Sequence, residues 1–343
     1  RLSGTLPSEL QHLESLDVLQ VSDNSISHVG NETDRFAKYT SLSAFLAGGN
    51  FIEYDNGIPP SLFRLTNLVA LDLSNNLLSG EGFSLFLLIT TITTTWLEQL
   101  QVLDLHGNAL TGTLSTQISR LESLQLLDLS QNAFMGTLPS VLLPRGLITF
   151  RVGRNLLSGS IPSRMIASVA TALEVLDLRD NVLTGEIPTT ISSLTALETL
   201  LLQGNQLSLD LSTWIQPGGG LFKLRTLVLD YNVIESFLPT EIANLASLEV
   251  LSLANTGISG TLPSEVGQLT SLRVLHVENN KLSGTIPTEL GLLTNLESVR
   301  VFFNNLTGRM PFSVCDIDGL EDLIADCAGT NPIISCSCCT RCL

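Results

Sequence analysis

The residues that could carry out catalysis are few and scattered along the chain. The sequence of 343 residues contains four histidines, His12, His28, His106 and His276, and six cysteines. Nucleophilic catalysis needs a nucleophile, a base and an orienting acid in one pocket. No histidine shares a repeat position with a plausible serine or cysteine partner and an orienting acid. The sequence therefore predicts a protein that is not an enzyme and that holds no cofactor.

Three acidic residues occupy the same position in successive repeats of the chain. Asp72, Asp104 and Asp128 follow one another at intervals of 32 and 24 residues, so we expect them on neighbouring strands. Unpaired charges about 5 Å apart repel each other by about 1 kcal/mol even in water. A cationic ligand group or a calcium ion would relieve this repulsion, and the alternative is that water solvates the three carboxylates. The row is a candidate ligand-binding site, and no resident metal is predicted.

A small group of arginines is the second candidate. Arg151 and Arg154 lie in one repeat and Arg179 lies in the next. Guanidinium groups bind carboxylates through paired hydrogen bonds, so this group suits a ligand that carries a carboxylate. The alternative is that the arginines pair with acidic residues of the same repeats. These are Asp128, Asp177 and Asp180, and Asp177 is itself a candidate ligand-binding residue.

Apolar and aromatic residues at positions expected to face solvent form the third candidate. Contiguous exposed apolar surface usually marks a contact site. Packing against the C-terminal end of the chain explains the two phenylalanines equally well, so both interpretations stay open. The candidates are Leu201, Val228, Tyr231, Phe302 and the adjacent Phe303. Arg300, which precedes the phenylalanines on the same face, is a further candidate ligand-binding residue.

Regularly spaced leucines must position these candidates. The frame Leu-x-x-Leu-x-Leu-x-x-Asn-x-Leu recurs twelve times, mostly at intervals of 23 to 27 residues. Its two inner leucines lie two residues apart, so in a strand they face one side while the residues between and after them face the other. A fixed period of this size predicts a solenoid of stacked parallel strands. The frames begin at Leu16, Leu42, Leu68, Leu100, Leu124, Leu147, Leu173, Leu197, Leu224, Leu248, Leu272 and Leu296, and a degenerate copy begins at Leu320.

Most repeats carry an asparagine at the same position, and we call this set of residues the asparagine column. A Gly-x-x-Pro signature follows it in many repeats. The asparagine amide has donors and an acceptor, so it can pair backbone groups that lose their partners where the chain bends. Thr256 replaces this asparagine in the tenth repeat, where we expect a weaker connection. Glycine permits the turn that follows, and proline suits the first position of a helical turn on the outer face.

The motif LxxLxLxxNxLxGxIP, most regular at 173–188 and 272–311, resembles the plant-type subclass of extracellular leucine-rich repeats. This subclass occurs in receptor-like proteins, receptor-like kinases and polygalacturonase inhibitors. The resemblance implies a curved α/β superhelix with a parallel concave sheet and with short helices or 3-10 turns on its outer face. It also implies a protein, peptide or polysaccharide ligand on the concave face. The paired-cysteine N-terminal cap of the family and a kinase signature are absent from this sequence.

All six cysteines lie in the C-terminal tail. Residues 1–314 contain none, which is typical of a chain that needs cross-links at one end in an oxidising compartment. We expect a repeat domain at 1–311 and a disulfide-stabilised cap at 312–343. Six cysteines allow 15 pairings, and a spacing of one repeat predicts that Cys315 pairs within the cluster at 336–339. The cysteines are Cys315, Cys327, Cys336, Cys338, Cys339 and Cys342.

The tail has an alternative interpretation as a metal site. Its Cys-x-Cys-Cys-x-x-Cys segment lacks a nearby histidine, and its spacing is not that of a zinc ribbon, so disulfides are favoured. The tail also resembles that of algal surface proteins with leucine-rich repeats.

Three stretches depart from the regular period. Residues 79–99 carry Leu85, Leu88, Ile92 and Trp96 at the spacing of one helical face, which predicts an outer-face helix, with a partner-docking protrusion as the alternative. Residues 214–220, Trp-Ile-Gln-Pro-Gly-Gly-Gly, predict a loop. Residues 29–39 predict a polar lengthening of the second repeat.

Charge and glycosylation signals narrow the partners and the compartment. The chain has 33 acidic and 17 basic residues and a net charge of −16, which disfavours nucleic acid and anionic membrane surfaces. Sequons at Asn31 and Asn305 fit a secretory route, so the expected location is extracellular or at the cell surface. The chain opens inside a repeat at Arg1, so we expect further chain before it, with any membrane anchor outside this sequence.

These observations together predict an extracellular recognition module. The favoured interpretation is the ectodomain of a receptor-like surface protein that binds a peptide, glycan or protein on its concave face. The alternative is a secreted cell-wall or matrix protein with a structural or inhibitory role.

Overall fold

The computed structural model describes residues 1–29, 39, 41–81, 97–141, 143–169, 171–215, 219–329 and 333–343. These residues form two compact units, Arg1–Leu173 and Glu174–Leu343. The predicted boundary between repeats and cap at 311 lies inside the second unit and remains a prediction.

In the first unit, a three-residue strand surrounds the first inner leucine of each repeat. Leu103 and Leu127, for example, are at most 1% exposed, because their side chains point into the core. The strands pair in parallel and in register, with Leu103 opposite Leu127. Each repeat therefore adds one strand. The strands of this sheet are Val18–Gln20, Ala44–Leu46, Ala70–Asp72, Val102–Asp104, Leu126–Asp128 and Thr149–Arg151.

The second unit repeats this arrangement up to the C-terminal end. Leu275 lies opposite Leu251 on one side and Val299 on the other, and all three side chains are fully buried. The degenerate repeat at Leu320 also supplies a strand, with which the final strand of the chain pairs. The strands are Val175–Asp177, Thr199–Leu201, Thr226–Val228, Val250–Ser252, Val274–His276, Ser298–Arg300, Asp322–Ala325 and Arg341–Cys342.

A second set of short parallel strands follows the asparagine in many repeats. Glycine is required here: Gly80 has φ +84°, and a Cβ on it would lie 2.2 Å from the carbonyl oxygen of Asp55. In the first unit these strands are Ser3–Thr5, Ser25–His28, Glu53–Tyr54, Leu77–Glu81, Ala109–Thr111, Met135–Thr137 and Leu156–Gly159. In the second unit they are Val182–Glu186, Gln206–Ser208, Ser259–Thr261, Lys281–Thr285, Asn305–Arg309 and Ile334–Ser335.

Short helices return the chain along the outer side. Among the described residues, seven are five-residue 3-10 helices: Ser8–His12, Pro60–Arg64, Thr116–Arg120, Thr189–Ser193, Thr240–Asn244, Ser264–Gln268 and Thr288–Leu292. Three are α-helical: Ser163–Ser168, Leu211–Trp214 and Phe312–Cys315. None of the helices in the described ranges is long and apolar enough to cross a membrane.

The prolines sit one residue earlier than predicted. Pro188 and Pro287 are the capping residues before their helices rather than the first helical residues. Their backbone is extended, with φ near −68° and ψ near 139°, which suits the fixed φ of proline. Only Pro60 among the described helices takes the first helical position.

The asparagine column connects successive repeats as predicted. Asn205 Nδ2 donates to the carbonyl oxygens of Leu178 and Leu202, at 3.0 Å each, and its Oδ1 accepts from the backbone of Leu183. One amide therefore pairs backbone groups in its own repeat and in the preceding one. Thr256 Oγ1 lies 2.8 Å from Leu253 O in its own repeat and 3.0 Å from Asn280 Oδ1 in the next. Its hydroxyl has one proton, whereas the asparagine amide has two, and neither contact reaches the preceding repeat.

Three disulfides close the C-terminal end, and they join all six cysteines of the chain. The predicted pairing of Cys315 within the cluster at 336–339 is confirmed, with Cys338 as its partner. The other pairs are Cys327–Cys342 and Cys336–Cys339. The alternative interpretation of the tail as a metal site is therefore wrong, because no thiolate is left to ligate.

Two predictions for the irregular stretches need correction. Residues 79–81 belong to the strand Leu77–Glu81 and do not begin a helix, because they continue the glycine-containing strand of their repeat. Trp214 ends a short helix with its side chain 1% exposed, so burial of a large aromatic ring places it in the core and not in a loop. The stretches 30–38, 82–96 and 216–218, which include Asn31, lie outside the described residues. The predicted solenoid of parallel strands, short helices and a disulfide-stabilised end is confirmed.

Candidate functional site

The sheet of each unit has one face that the core does not cover. In the strand Val274–His276 the middle residue is buried, while His276 and then Glu278 point to the opposite side. We define the open face as the surface formed by the third residue of each sheet strand and by the residue two positions later. The candidate ligand-binding residues of the sequence lie on this face, except that Arg154, Tyr231 and Phe303 follow it by one residue.

The acidic row on the open face of the first unit is hydrogen-bonded within itself. Asp72 Oδ1 accepts from the backbone N–H and the hydroxyl of Ser74, at 2.9 and 2.7 Å. Asp128 Oδ1 does the same with Ser130, at 3.0 and 2.6 Å. Asp128 is only 6% exposed, so solvation by water alone does not describe it. These contacts offset part of the repulsion that the sequence predicted.

His106 joins the acidic row, which the sequence interpretation missed. Asn75 Nδ2 donates to His106 Nε2 at 2.9 Å, so His106 Nδ1 carries the proton and donates to Asp104 at 2.7 Å. Ligand atoms of Asp104, His106 and Asp128 lie within 4.8 Å of one another. Burial, with a further contribution from the charge of Asp128, raises the pKa of Asp104 above its ordinary value. The three side chains are close enough to share a cation, although their hydrogen bonds already satisfy several of their oxygens and nitrogens.

The arginines predicted to form one group belong to different units. In the first unit, Arg151 lies 3.6 Å from Asp128, and Arg154 is exposed with φ +56°. In the second unit, Arg179 Nε lies 3.3 Å from Asp177 Oδ2, and the Asp177 carboxylate is almost fully buried. The alternative left open by the sequence, pairing with acidic residues, therefore occurs for Arg151 with Asp128 and for Arg179 with Asp177.

The apolar candidates lie in the second unit in two places. Leu201 and Val228 are neighbours in register and half-buried, and Tyr231 is 64% exposed. Phe302 and Phe303 contact each other edge to face, with ring centroids 5.1 Å apart, and Phe303 is 57% exposed. Rings exposed to this degree are available to a ligand.

A chain of hydrogen bonds crosses the open face beside these phenylalanines. Ser298 Oγ donates to Asp322 Oδ2 at 2.9 Å, and Arg300 Nε donates to the same oxygen at 2.8 Å. Since the Ser298 proton points to Asp322, the 2.8 Å contact with His276 is a bond donated by His276 Nε2. The histidine therefore does not draw a proton from this serine, and the trio is not arranged to make a nucleophile.

Burial, hydrogen bonds and neighbouring charges change the pKa values of His276, Asp322 and Asp230 in different directions. Burial, aided by the charge of Arg300, lowers the pKa of His276 to about 4, so its ring is neutral at neutral pH. Burial opposes ionisation of Asp322, but hydrogen bonds from Arg300 and Ser298 outweigh it and lower the pKa of that carboxyl. Asp230 accepts from Ser252 and Ala254, yet burial still raises its pKa.

Glu278 is the acidic residue of the open face with the least compensation. It is 8% exposed, and its Oε2 has no hydrogen-bond partner within the described ranges. Burial raises the pKa of the Glu278 carboxyl, and the charges of Asp230 and Asp322 add to this effect, while its own backbone N–H and the charge of Arg300 oppose it without cancelling it. The sequence offered a weak signal for Glu278. The same position in the two neighbouring repeats is occupied by Ala254 and Phe302, and neither side chain can pair with an acid.

Models of two repeat families match the sequence. A leucine-rich repeat region is recognised at 212–323, and single leucine-rich repeats are recognised at 99–121, 123–143 and 172–194. Receptor-like protein 35 of Arabidopsis thaliana is 34% identical over 246 residues, which are 70% of this chain and 22% of that protein.

Solved receptor structures share the fold. The structure of PEPR1 with AtPEP1 superimposes with a TM-score of 0.78 at 26% identity, covering 94% of this chain and 43% of that one. The plant peptide hormone receptor RGFR1 in complex with RGF2 gives a TM-score of 0.74 at 29% identity, covering 95% of this chain and 53% of that one. The chain thus spans about half of these structures and less than a quarter of receptor-like protein 35.

The regions that this chain matches are leucine-rich-repeat ectodomains, which are non-catalytic, and the prediction that this chain is not an enzyme agrees with them. The repeat frame, the parallel sheet, the disulfide-stabilised end and these similarities agree with one another. The chain is a leucine-rich-repeat protein of the plant type, similar to receptor-like protein 35 and to the ectodomains of leucine-rich-repeat receptor kinases.

Proposed function

We propose that this chain is an extracellular recognition module that binds a peptide on its open face. The observation that carries the proposal is its similarity, over almost its full length, to the PEPR1-AtPEP1 structure and to the plant peptide hormone receptor RGFR1 in complex with RGF2. Both of those structures exceed 25% identity with this chain. The chemistry of the open face supports the same conclusion.

The open face combines groups that an extended peptide can use. It offers carboxylates and guanidinium groups for charged side chains, and Tyr231 and Phe303 are more than half exposed. A strand-rich surface with these groups in successive rows presents a series of contacts at a spacing of about 4.8 Å. An elongated ligand that lies across several repeats would contact several rows at once.

The proposed location is outside the cytosol. Three disulfides persist only in an oxidising environment. The sequon at Asn305 is exposed on a short flanking strand, which suits a glycosylation acceptor. Attachment to a membrane would come from a segment outside this chain.

Selection from a random-sequence peptide display library on the immobilised, disulfide-intact chain tests the proposal. We expect enrichment of a peptide family whose binding weakens at least tenfold with Arg151→Glu, Arg179→Glu or Tyr231→Ser. Tyr231 is exposed, so Tyr231→Ser should change the melting temperature little. The two arginine variants remove the partners of the buried Asp128 and Asp177 carboxylates and should lower it, so their binding is compared at a temperature where each variant is folded.

Leu292→Ser supplies the matched control for Tyr231→Ser. Leu292 has the same exposure as Tyr231, 64%, but ends a 3-10 helix on the outer side. Enriched peptides should bind this variant as tightly as the unmodified chain. Failure to enrich any peptide, or binding that only the Leu292 variant weakens, would count against the open face as a peptide site.

A further inference from the structure

On the open face of the second unit the small residue Ala254 lies between two larger acidic side chains, and we call this position the notch. Ala254 N donates to Asp230 Oδ1 at 2.7 Å, and Asn255 N donates to Glu278 O at 3.1 Å. These bonds place the methyl group of Ala254 between Asp230 on one strand and Glu278 on the other. Since neighbouring strands lie about 4.8 Å apart, the backbones that carry the two carboxyl groups are about 10 Å apart.

An aromatic ring borders the notch beyond Glu278. Asn279 N donates to Phe302 O at 3.0 Å, which sets Phe302 beside Glu278 on the next strand. Four neighbouring repeats therefore present, in order, a carboxylate (Asp230), a methyl group (Ala254), a second carboxylate (Glu278) and a phenyl ring (Phe302). Acidic oxygens beside an aromatic face are the surroundings that favour an organic cation.

Two acceptors at the notch have no donor within the described part of the chain. One is Glu278 Oε2, which is sealed from solvent. The other is Nδ1 of His276: because Nε2 carries the proton that it donates to Ser298, Nδ1 keeps a free lone pair. His276 ends the strand Val274–His276 and Glu278 comes two residues later, so their side chains point to the same face and lie side by side.

The charge around the notch is negative. Asp230, Glu278 and Asp322 contribute three carboxylates, and Arg300 contributes one guanidinium that is already bonded to Asp322. Burial raises the pKa of Asp230 and of Glu278, which means that the empty notch stabilises these negative charges poorly. A positive charge supplied from outside would stabilise both.

We propose that the notch formed by Asp230, Ala254, His276, Glu278 and Phe302 binds the guanidinium group of an arginine side chain in the peptide ligand. The inference rests on the proposed function and deepens it, because it assigns the chemistry of one part of that peptide.

The shape and donor count of the guanidinium favour it over an ammonium group. A guanidinium is planar, carries five N–H donors and stacks on aromatic faces, whereas an ammonium is compact and more strongly hydrated. Two carboxyl groups, an imidazole nitrogen and a phenyl ring around a methyl floor offer acceptors to several donors and a face for stacking.

The dehydration of Glu278 adds to the attraction. An acceptor that has already lost its water in the free protein gains a hydrogen bond from a ligand without releasing water first. The last torsion of a glutamate side chain is soft, so rotation of the carboxyl can present Oε2 at the surface of the notch.

Titration of the full disulfide-intact chain with N-acetyl-arginine amide tests the inference. The readout is the ring-proton NMR signal of His276, with His12, His28 and His106 as internal references. We expect a saturable shift of the His276 signal alone. N-acetyl-citrulline amide, which has nearly the same shape without the charge, should bind at least tenfold more weakly.

Two variants localise the effect by different means. Glu278→Gln removes a negative charge with little change of shape, and Ala254→Leu fills the notch while keeping every charge. Each should weaken binding of N-acetyl-arginine amide at least tenfold, whereas Glu265→Gln on the outer 3-10 helix should leave it unchanged. If Ala254→Leu fails to fold, the Glu278→Gln comparison still decides the question.

Three results would overturn the inference: a shift that does not saturate, an equal response to citrulline, or an unchanged affinity of Glu278→Gln. Tighter binding of N-acetyl-lysine amide than of the arginine compound would reject the guanidinium in favour of an ammonium. The small probes do not depend on a peptide ligand being found, so their failure is distinguishable from failure of the library selection.

Discussion

At the scale of single residues, Glu278 combines a role in the proposed notch with a cost to folding. Its Oε2 is buried without a hydrogen bond, and a buried polar atom left unpaired costs about 1–3 kcal/mol. Residues that are unfavourable for stability and favourable for ligand capture are a known compromise in binding surfaces. Substitution of Glu278 therefore allows the effect on stability and the effect on ligand binding to be measured separately.

Replacing Glu278 with Gln should raise the melting temperature at neutral pH, because burial disfavours the charged form of Glu278 and glutamine carries no charge. The folded pKa of Glu278 lies above its ordinary value, so its charge opposes folding once the pH exceeds the pKa of the unfolded chain. The gain should therefore shrink as the pH falls towards 4. Thermal unfolding at pH 7 and pH 4 measures both effects, and an equal or lower melting temperature of the variant at pH 7 would contradict this account.

His276 should respond to pH in the opposite sense. Its pKa is lowered from 6.5 to about 4 by burial and by Arg300, so the fold favours the neutral ring. Its contribution to stability is complete above pH 6.5 and is lost as the pH falls from there towards 4. An NMR titration of the His276 ring should give a midpoint near 4, and Arg300→Gln should raise that midpoint while burial keeps it below 6.5. A midpoint at 6.5 in the unmodified chain would show that the ring is not held as described.

At the scale of single elements, the period of the sequence determines most of what can be predicted. The strands, the asparagine column and the partner region of Cys315 all follow from spacing, because each repeat meets its neighbours in the same way. The failures lie where the period is interrupted. The apolar spacing of Leu85, Leu88, Ile92 and Trp96 predicted a helix over 79–99, but the repeat continues as a strand through Glu81.

The tenth repeat offers a test of the asparagine column. Thr256→Asn should stabilise the protein by about 1 kcal/mol, because the amide can donate across to the preceding repeat as Asn232 does to Leu202 O. Chemical denaturation measures the difference in free energy of unfolding. The reverse change, Asn232→Thr, is the matched control and should destabilise by at least as much. A loss of stability in Thr256→Asn would show that this repeat has adapted to threonine.

The candidate site was less predictable from sequence than the fold. The columns of the open face identify which side chains share a surface, and Asp72, Asp104 and Asp128 were found in this way. They do not identify which polar atoms remain without partners, because that depends on hydrogen bonds such as those from Ser298 and Arg300 to Asp322. Glu278 and His276 became candidates only when those bonds were assigned.

At the scale of the whole molecule, the solenoid has no single core, so its exposed end needs cross-links. The three disulfides differ in the length of chain that they enclose. Cys315 and Cys338 are 23 residues apart, whereas Cys336 and Cys339 are 3 apart. Longer loops lose more conformational freedom when closed, so their disulfides contribute more stability.

Removing the Cys315–Cys338 disulfide with a double alanine substitution should destabilise the protein by about 3 kcal/mol. The same treatment of Cys336–Cys339 should cost about 2 kcal/mol, since the enclosed loop is short. Thermal unfolding of the two double variants under non-reducing conditions gives the comparison. A larger loss for the shorter loop would indicate that packing, rather than loop closure, dominates at this end.

The asparagine column also determines how the molecule can change in length. Because each amide bonds to its own turn and to the one before, every turn offers the next the same set of donors and acceptors. Deleting or duplicating one whole turn leaves the junction chemically equivalent to the original, whereas an insertion of one residue misaligns the amide with its acceptors. The chain can therefore gain or lose recognition surface in units of one turn, without redesign of the turns that remain.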